Sequence, residues 1–136
     1  GIRIMNTERW LLLGMLSFAA TVHAAPDKLP GEQIYARCAA CHALAYDRVG
    51  PHHCGLLGRR AGTVPGFAYS DAMKNSGFIW DEKTLDRFLT QPMKVLPGTT
   101  MTYAGIPDSK ERSDLIAYLK QANDSRECHS LRALPH

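Results

Sequence analysis

The chain has 136 residues and a formal net charge of +3, enough for one small domain and too weakly basic for a nucleic-acid binder. A domain of this size buries only about two-thirds of its unfolded surface, so a large apolar cofactor would supply core that the chain lacks. Four cysteines are few for a disulfide scaffold, and neither an internal repeat nor a low-complexity tract is present.

Residues 1–24 are laid out as a secretory signal peptide, with Met5 a candidate start. Arg3 and Arg9 form a basic beginning, weakened by Glu8, and Trp10 to Val22 form the apolar stretch. Val22-His23-Ala24 then offers a cleavage site after Ala24. The rival reading is a retained anchor, but the apolar stretch falls short of the about 20 residues a spanning helix needs. The pattern therefore predicts export to the periplasm, an oxidising compartment, with a domain over residues 25–123 and a tail over 124–136.

A helix is expected from Gly31, with Ile34, Tyr35 and Cys38 on one face. It runs into Cys38-Ala39-Ala40-Cys41-His42, a C-x-x-C-H run. Two thiols at this spacing reach two vinyl groups on one edge of a haem, and the adjacent imidazole then turns under the iron. A bare C-x-x-C is also compatible with a redox dithiol or half a zinc site. The stretch from Val49 to Gly62 reads as a loop, punctuated by Gly50, Gly55, Gly58 and Gly62. Within it the Pro51 carbonyl is a natural acceptor for the second ring N–H of a ligating histidine. Arg59 is a fork for a carboxylate. His52-His53-Cys54 has three metal-binding residue types, but three adjacent residues cannot all face one ion.

Ser70 is an N-cap for a short helix that stops near Gly77, and Asp81 caps the next, with Leu85, Phe88 and Leu89 on its apolar face until Gln91-Pro92. Pro97-Gly98 forces a turn. Met101 follows it, either a core methionine or the sixth iron ligand. Asp108 with Glu111 forms a capping-box pattern that opens the last helix, and Leu115, Ile116, Tyr118 and Leu119 form a stripe for the first helix to cover. Asn123 to His136 is polar and expected to fray, Cys128 apart.

Taken in order, Cys38-Ala39-Ala40-Cys41-His42, Gly50-Pro51 with Gly58-Arg59, Pro65-Gly66-Phe67-Ala68-Tyr69, Pro97-Gly98-Thr99-Thr100-Met101 and the closing Asp114-Leu115-Ile116-Ala117-Tyr118-Leu119-Lys120 resemble class I cytochrome c from Gly31 to Asn123. The resemblance implies an all-α fold of three to five helices around one covalent haem c, with the terminal helices crossing where Gly31 and Tyr35 meet Leu115 and Tyr118. It implies thioether bonds to Cys38 and Cys41 and His42 and Met101 as axial ligands. Pro51 would accept from His42, and Arg59, Tyr69, Trp80 and Thr99 would bind the propionates.

Three departures from the family pattern stand out. Phe88 replaces a tyrosine near the methionine ligand. His53 takes the place of an apolar core residue. Met93, Thr100, Asp108 and Ser109 lie where lysines commonly ring the haem edge. Cys54 and Cys128 are left over, as two free thiols or as a disulfide. The family fold brings the residue before Gly55 near the end of the last helix, which favours the bridge. The implied function is a monomeric one-electron shuttle, not an enzyme. It would dock transiently at the membrane surface between a quinol–cytochrome c reductase (bc1-type) or a dehydrogenase and a terminal oxidase or reaction centre. The alternative is a small peroxidase-like enzyme or sensor in which Met101 leaves to open a binding site.

Overall fold

The computed structural model describes residues 1–2 and 29–133. Residues 3–28, which carry nearly all of the predicted export signal and the beginning of the predicted domain, lie outside the described residues, as do 134–136. The described chain is all-α: α1 (Pro30–Tyr35), α2 (Asp71–Lys74), α3 (Glu82–Thr90), α4 (Pro92–Val95), α5 (Ser109–Asn123) and α6 (Arg126–Arg132). The nearest thing to a sheet is one antiparallel bridge, Arg60 to Ile79.

The helix starts follow the capping chemistry. Ser70 accepts from Met73 N–H, Asp81 from Thr84 N–H and Asp108 from Glu111 N–H. Glu111 does not close the capping box. Its carboxylate turns to the Arg37 guanidinium, which donates to both oxygens at 2.7 Å.

α1 crosses α5. Ile34 and Tyr35 bury against Leu115, Ile116 and Leu119, and Tyr35 meets Tyr118 with ring centroids 5.2 Å apart. The crossing is close because Gly31 has no side chain: a Cβ there would stand 2.0 Å from the Asp114 carbonyl oxygen and 2.6 Å from Tyr118 Cβ. α3 packs Leu85, Phe88 and Leu89 into the same core. Arg112, almost fully buried, ties the two helices: Nε donates to Asp86 at 2.7 Å, and Nη1 donates to the carbonyls of Ile106 and Pro107, each at 2.9 Å.

The fold class is as expected; among the described residues there are six helices rather than three to five, and two short ones that the sequence did not mark, α4 and α6, have separate causes. Pro92 ends α3 but also sits at the first position of α4, where its fixed φ suits a helix start and its missing N–H costs nothing. The tail expected to fray forms α6, capped by Ser125, which accepts from Cys128 N–H at 3.3 Å. A seven-residue helix is marginal alone. This one is held by the Cys54–Cys128 disulfide, whose Cα atoms lie 5.2 Å apart.

Candidate haem site

The loop between α1 and α2, the bridge segment and the loop after α4 surround one cavity of about 380 Å³, open on one side and lined mainly by apolar side chains. That is the size and character of a pocket for an organic cofactor. The backbone at its edge turns tightly: His42 N–H and Cys41 N–H both donate to the Cys38 carbonyl, at 2.9 and 3.1 Å, and Gly50 N–H donates to the Cys41 carbonyl at 2.8 Å. Cys38 is half-buried in the pocket wall and Cys41 is exposed at its rim. Neither is in a disulfide. Burial pushes the Cys38 thiol up to about 11, Cys41 adds to the rise, and Arg37 opposes it.

His42 Nδ1–H donates to the Pro51 carbonyl at 2.8 Å, which leaves Nε2 as the free lone pair. Burial lowers the His42 pKa and the Pro51 bond works the other way. The net effect favours the neutral imidazole that a metal requires. The ring lies so close over Gly50 that a Cβ there would fall 2.2 Å from His42 Cε1. Met101 lines the same cavity. Its backbone N–H donates to Thr99 Oγ1 at 3.2 Å, which anchors the loop beyond Pro97-Gly98.

Arg59, Tyr69, Trp80 and Thr99 all line the cavity. The bridge sets Arg59 beside Trp80: Trp80 N–H donates to the Arg59 carbonyl at 2.9 Å and Gly58 N–H to the Trp80 carbonyl at 2.7 Å. The Arg59 guanidinium donates to the carbonyls of His52 (2.9 Å) and Cys54 (3.2 Å). Among the described residues no carboxylate stands within ion-pair distance of it. Burial lowers its pKa, against the opposing pull of Tyr69 and Asp47. A half-buried cation of this kind calls for an anionic partner. Tyr69 Oη accepts from Val64 N–H at 3.2 Å, and the Trp80 indole packs on Phe88 at 5.1 Å. The donor set therefore fits a haem c: one thiol in the wall and one at the rim, an oriented imidazole and a thioether lining the cavity, and a cation with further donors for the propionates.

Two residues escape a reading of the sequence by motif. Arg112 ties α3 to α5. His53 stacks on His42, ring centroids 4.3 Å apart and planes at 22°. His53 had a signal, a polar residue where an apolar one is usual, but its stacking partner is a tertiary fact.

The chain is similar to known proteins in sequence and in fold. The family model for cytochrome c matches residues 29–123. The chain is 46% identical over 120 residues to cytochrome c2 of Blastochloris viridis, covering 85% of this chain and 94% of that one. It is 49% identical over 98 residues to cytochrome c2 of Rhodoplanes tepidamans (70% and 92%). It is 48% identical over 96 residues to cytochrome c of Sesamum indicum (68% and 86%). Among solved structures, cytochrome cH from Methylobacterium extorquens superposes with a TM-score of 0.67 at 44% identity, covering 71% of this chain and 99% of that one. The chain belongs to the cytochrome c family. With membership come a covalent haem c held through Cys38 and Cys41 and the work of an electron carrier rather than an enzyme.

Proposed function

We propose that the chain, cleaved after Ala24 and exported to the periplasm, shuttles single electrons between membrane complexes with its haem iron held by His42 and Met101. The donor in this reading is a bc1-type quinol–cytochrome c reductase or a dehydrogenase, and the acceptor a terminal oxidase or a reaction centre. The observation that carries the reading is the His42–Pro51 hydrogen bond of 2.8 Å, which aims the free imidazole nitrogen at a cavity that Met101 and both cysteines of the C-x-x-C-H run share.

The haem, when bound, supplies a reversible one-electron couple at iron. The residues around it set where that couple lies and keep its coordination constant. A neutral thioether at Met101 favours the reduced state, and the apolar wall penalises the more positive oxidised one. Thr99 restrains the Met101 backbone, which would help to keep the thioether in place for a haem iron. Arg59 receives a propionate, which would balance the guanidinium that the protein leaves without a carboxylate. The indole N–H of Trp80 and the hydroxyls of Tyr69 and Thr99 would be further donors, since all three residues line the same cavity.

Met93, Thr100, Asp108 and Ser109 are exposed where lysines are common in the family, so docking in this reading leans less on a lysine ring, and the interface is small and transient. Stopped-flow oxidation of the reduced protein by oxidase-containing membranes tests partner and face together. The bimolecular rate should be fast and change little as ionic strength rises across the physiological range. A steep fall with salt would place docking on a charged surface instead, and the absence of oxidation would remove the oxidase as acceptor.

A further inference from the structure

The established parts of the site leave one polar pair unexplained. Tyr35 and His53 both border the haem cavity, and Tyr35 Oη stands 3.1 Å from His53 Nδ1. Burial raises the Tyr35 pKa and keeps the phenol protonated. The two groups share one hydrogen bond, whose direction follows the His53 tautomer. The same His53 ring lies nearly parallel to His42, 4.3 Å between centroids, and edge-on to Tyr35 at 5.6 Å.

We propose that Tyr35 and His53 are positioning residues for the His42 imidazole: Tyr35 holds the His53 ring in one orientation, and that ring clamps His42 from its flat side with a polar layer. The Pro51 hydrogen bond acts in the plane of the His42 ring and fixes which nitrogen is free. It does little to stop the ring from tilting. A stacked neighbour does, because tilting breaks face-to-face contact over the whole ring. Three constraints then act on one imidazole: Pro51 in the plane, Gly50 close against one side, where a Cβ would meet Cε1, and His53 against a face. Tyr35 in turn is locked by the α1–α5 crossing, through its contact with Tyr118. The helix crossing is thereby coupled to the orientation of the proximal ligand by a continuous chain of rings, Tyr118, Tyr35, His53 and His42.

The polar layer also acts electrostatically. A dipolar, polarisable imidazole beside the proximal ligand stabilises the more positive oxidised centre better than an aliphatic side chain can, since burial in apolar surroundings raises the potential and polar neighbours lower it. The pair therefore holds the potential below the value that an apolar residue at position 53 would give.

This inference rests on His42 being the proximal ligand. It is tested on the haem-loaded protein by comparing His53→Leu and Tyr35→Phe with the parent in two measurements: the midpoint potential, and the hyperfine-shifted proton signals of the ligating imidazole in the ferric state. Leucine at position 53 should fold, because an apolar residue is usual there. The expected result is an upward shift of potential in His53→Leu, a smaller shift of the same sign in Tyr35→Phe, and displaced or doubled imidazole signals in both. Parental potentials and parental imidazole signals in both variants would overturn the proposal, even if melting temperatures fell, because a purely structural role moves only the latter. A parent protein that shows no iron-bound imidazole at all would overturn the ligand assignment itself, and that failure is visible before any variant is made.

Discussion

Gly50 shows how narrowly single residues are specified at the site. Its Cα lies under the His42 ring, and a Cβ would approach Cε1 at 2.2 Å, far inside van der Waals contact. Gly50→Ala should displace the imidazole, weaken the Pro51 bond and destabilise the protein by about 1–3 kcal/mol, as overpacking does. Urea unfolding of the haem-loaded variant, with its ferric spectrum, checks both effects. At this scale the C-x-x-C-H run stands out in the sequence because it sets chemical types at a fixed local spacing, and the cavity gathers it with Pro51 and with Met101, which the residues alone left open as core methionine or ligand. His53 and Arg112 were not readable in their roles. The sequence marks His53 as a polar residue in an apolar position, and only the fold brings its ring against His42. Nothing around Arg112 distinguishes it from a solvated arginine of an amphipathic helix until Asp86 and the Ile106 and Pro107 carbonyls converge on it.

Capping residues made most elements legible, since Ser70, Asp81 and Asp108 each accept the N–H three residues on, as their positions imply. The exceptions are short elements whose stability comes from elsewhere. α6 is held by a disulfide between residues 74 apart. Removing it in a Cys54→Ser, Cys128→Ser double variant should cost about 2–4 kcal/mol by the usual range for such bridges and release α6. Thermal denaturation followed by circular dichroism measures the loss, and thiol titration of the unfolded, haem-loaded parent should find neither thiol free.

The Arg37–Glu111 pair joins the chain just beyond α1 to the first turn of α5 at 2.7 Å. The side-chain hydrogen bond from Arg37 holds the Glu111 carboxyl below its ordinary value of 4.5, with burial opposing and the charge of Arg37 assisting. A depressed carboxylate contributes stability above its unfolded pKa and loses it as pH falls through the folded value. The pair should therefore stabilise the crossing fully above about pH 5 and fade in more acidic solution. Glu111→Gln should flatten that part of the curve of urea midpoint against pH. An unchanged acid limb in the variant would show that the exposed pair is already screened by solvent.

For the whole molecule, the all-α class and the crossing of α1 with α5 were legible because Ile34 and Tyr35 on one side and Leu115 to Leu119 on the other are apolar faces that each need a cover, and the order of motifs resembles a family in which the two cross. The helix count was not, because α4 and α6 owe their existence to a proline at a helix start and to a covalent tether rather than to periodicity. The central claim is that all of this architecture serves one iron held by His42 and Met101. The most direct test is the near-infrared absorption of the ferric protein at neutral pH, where methionine sulfur bound to ferric haem gives a weak band. The band should be present in the parent and absent in Met101→Ala, whose potential should also fall. A parent protein that lacks the band, shows a high-spin ferric spectrum and binds carbon monoxide readily when reduced would contradict the claim.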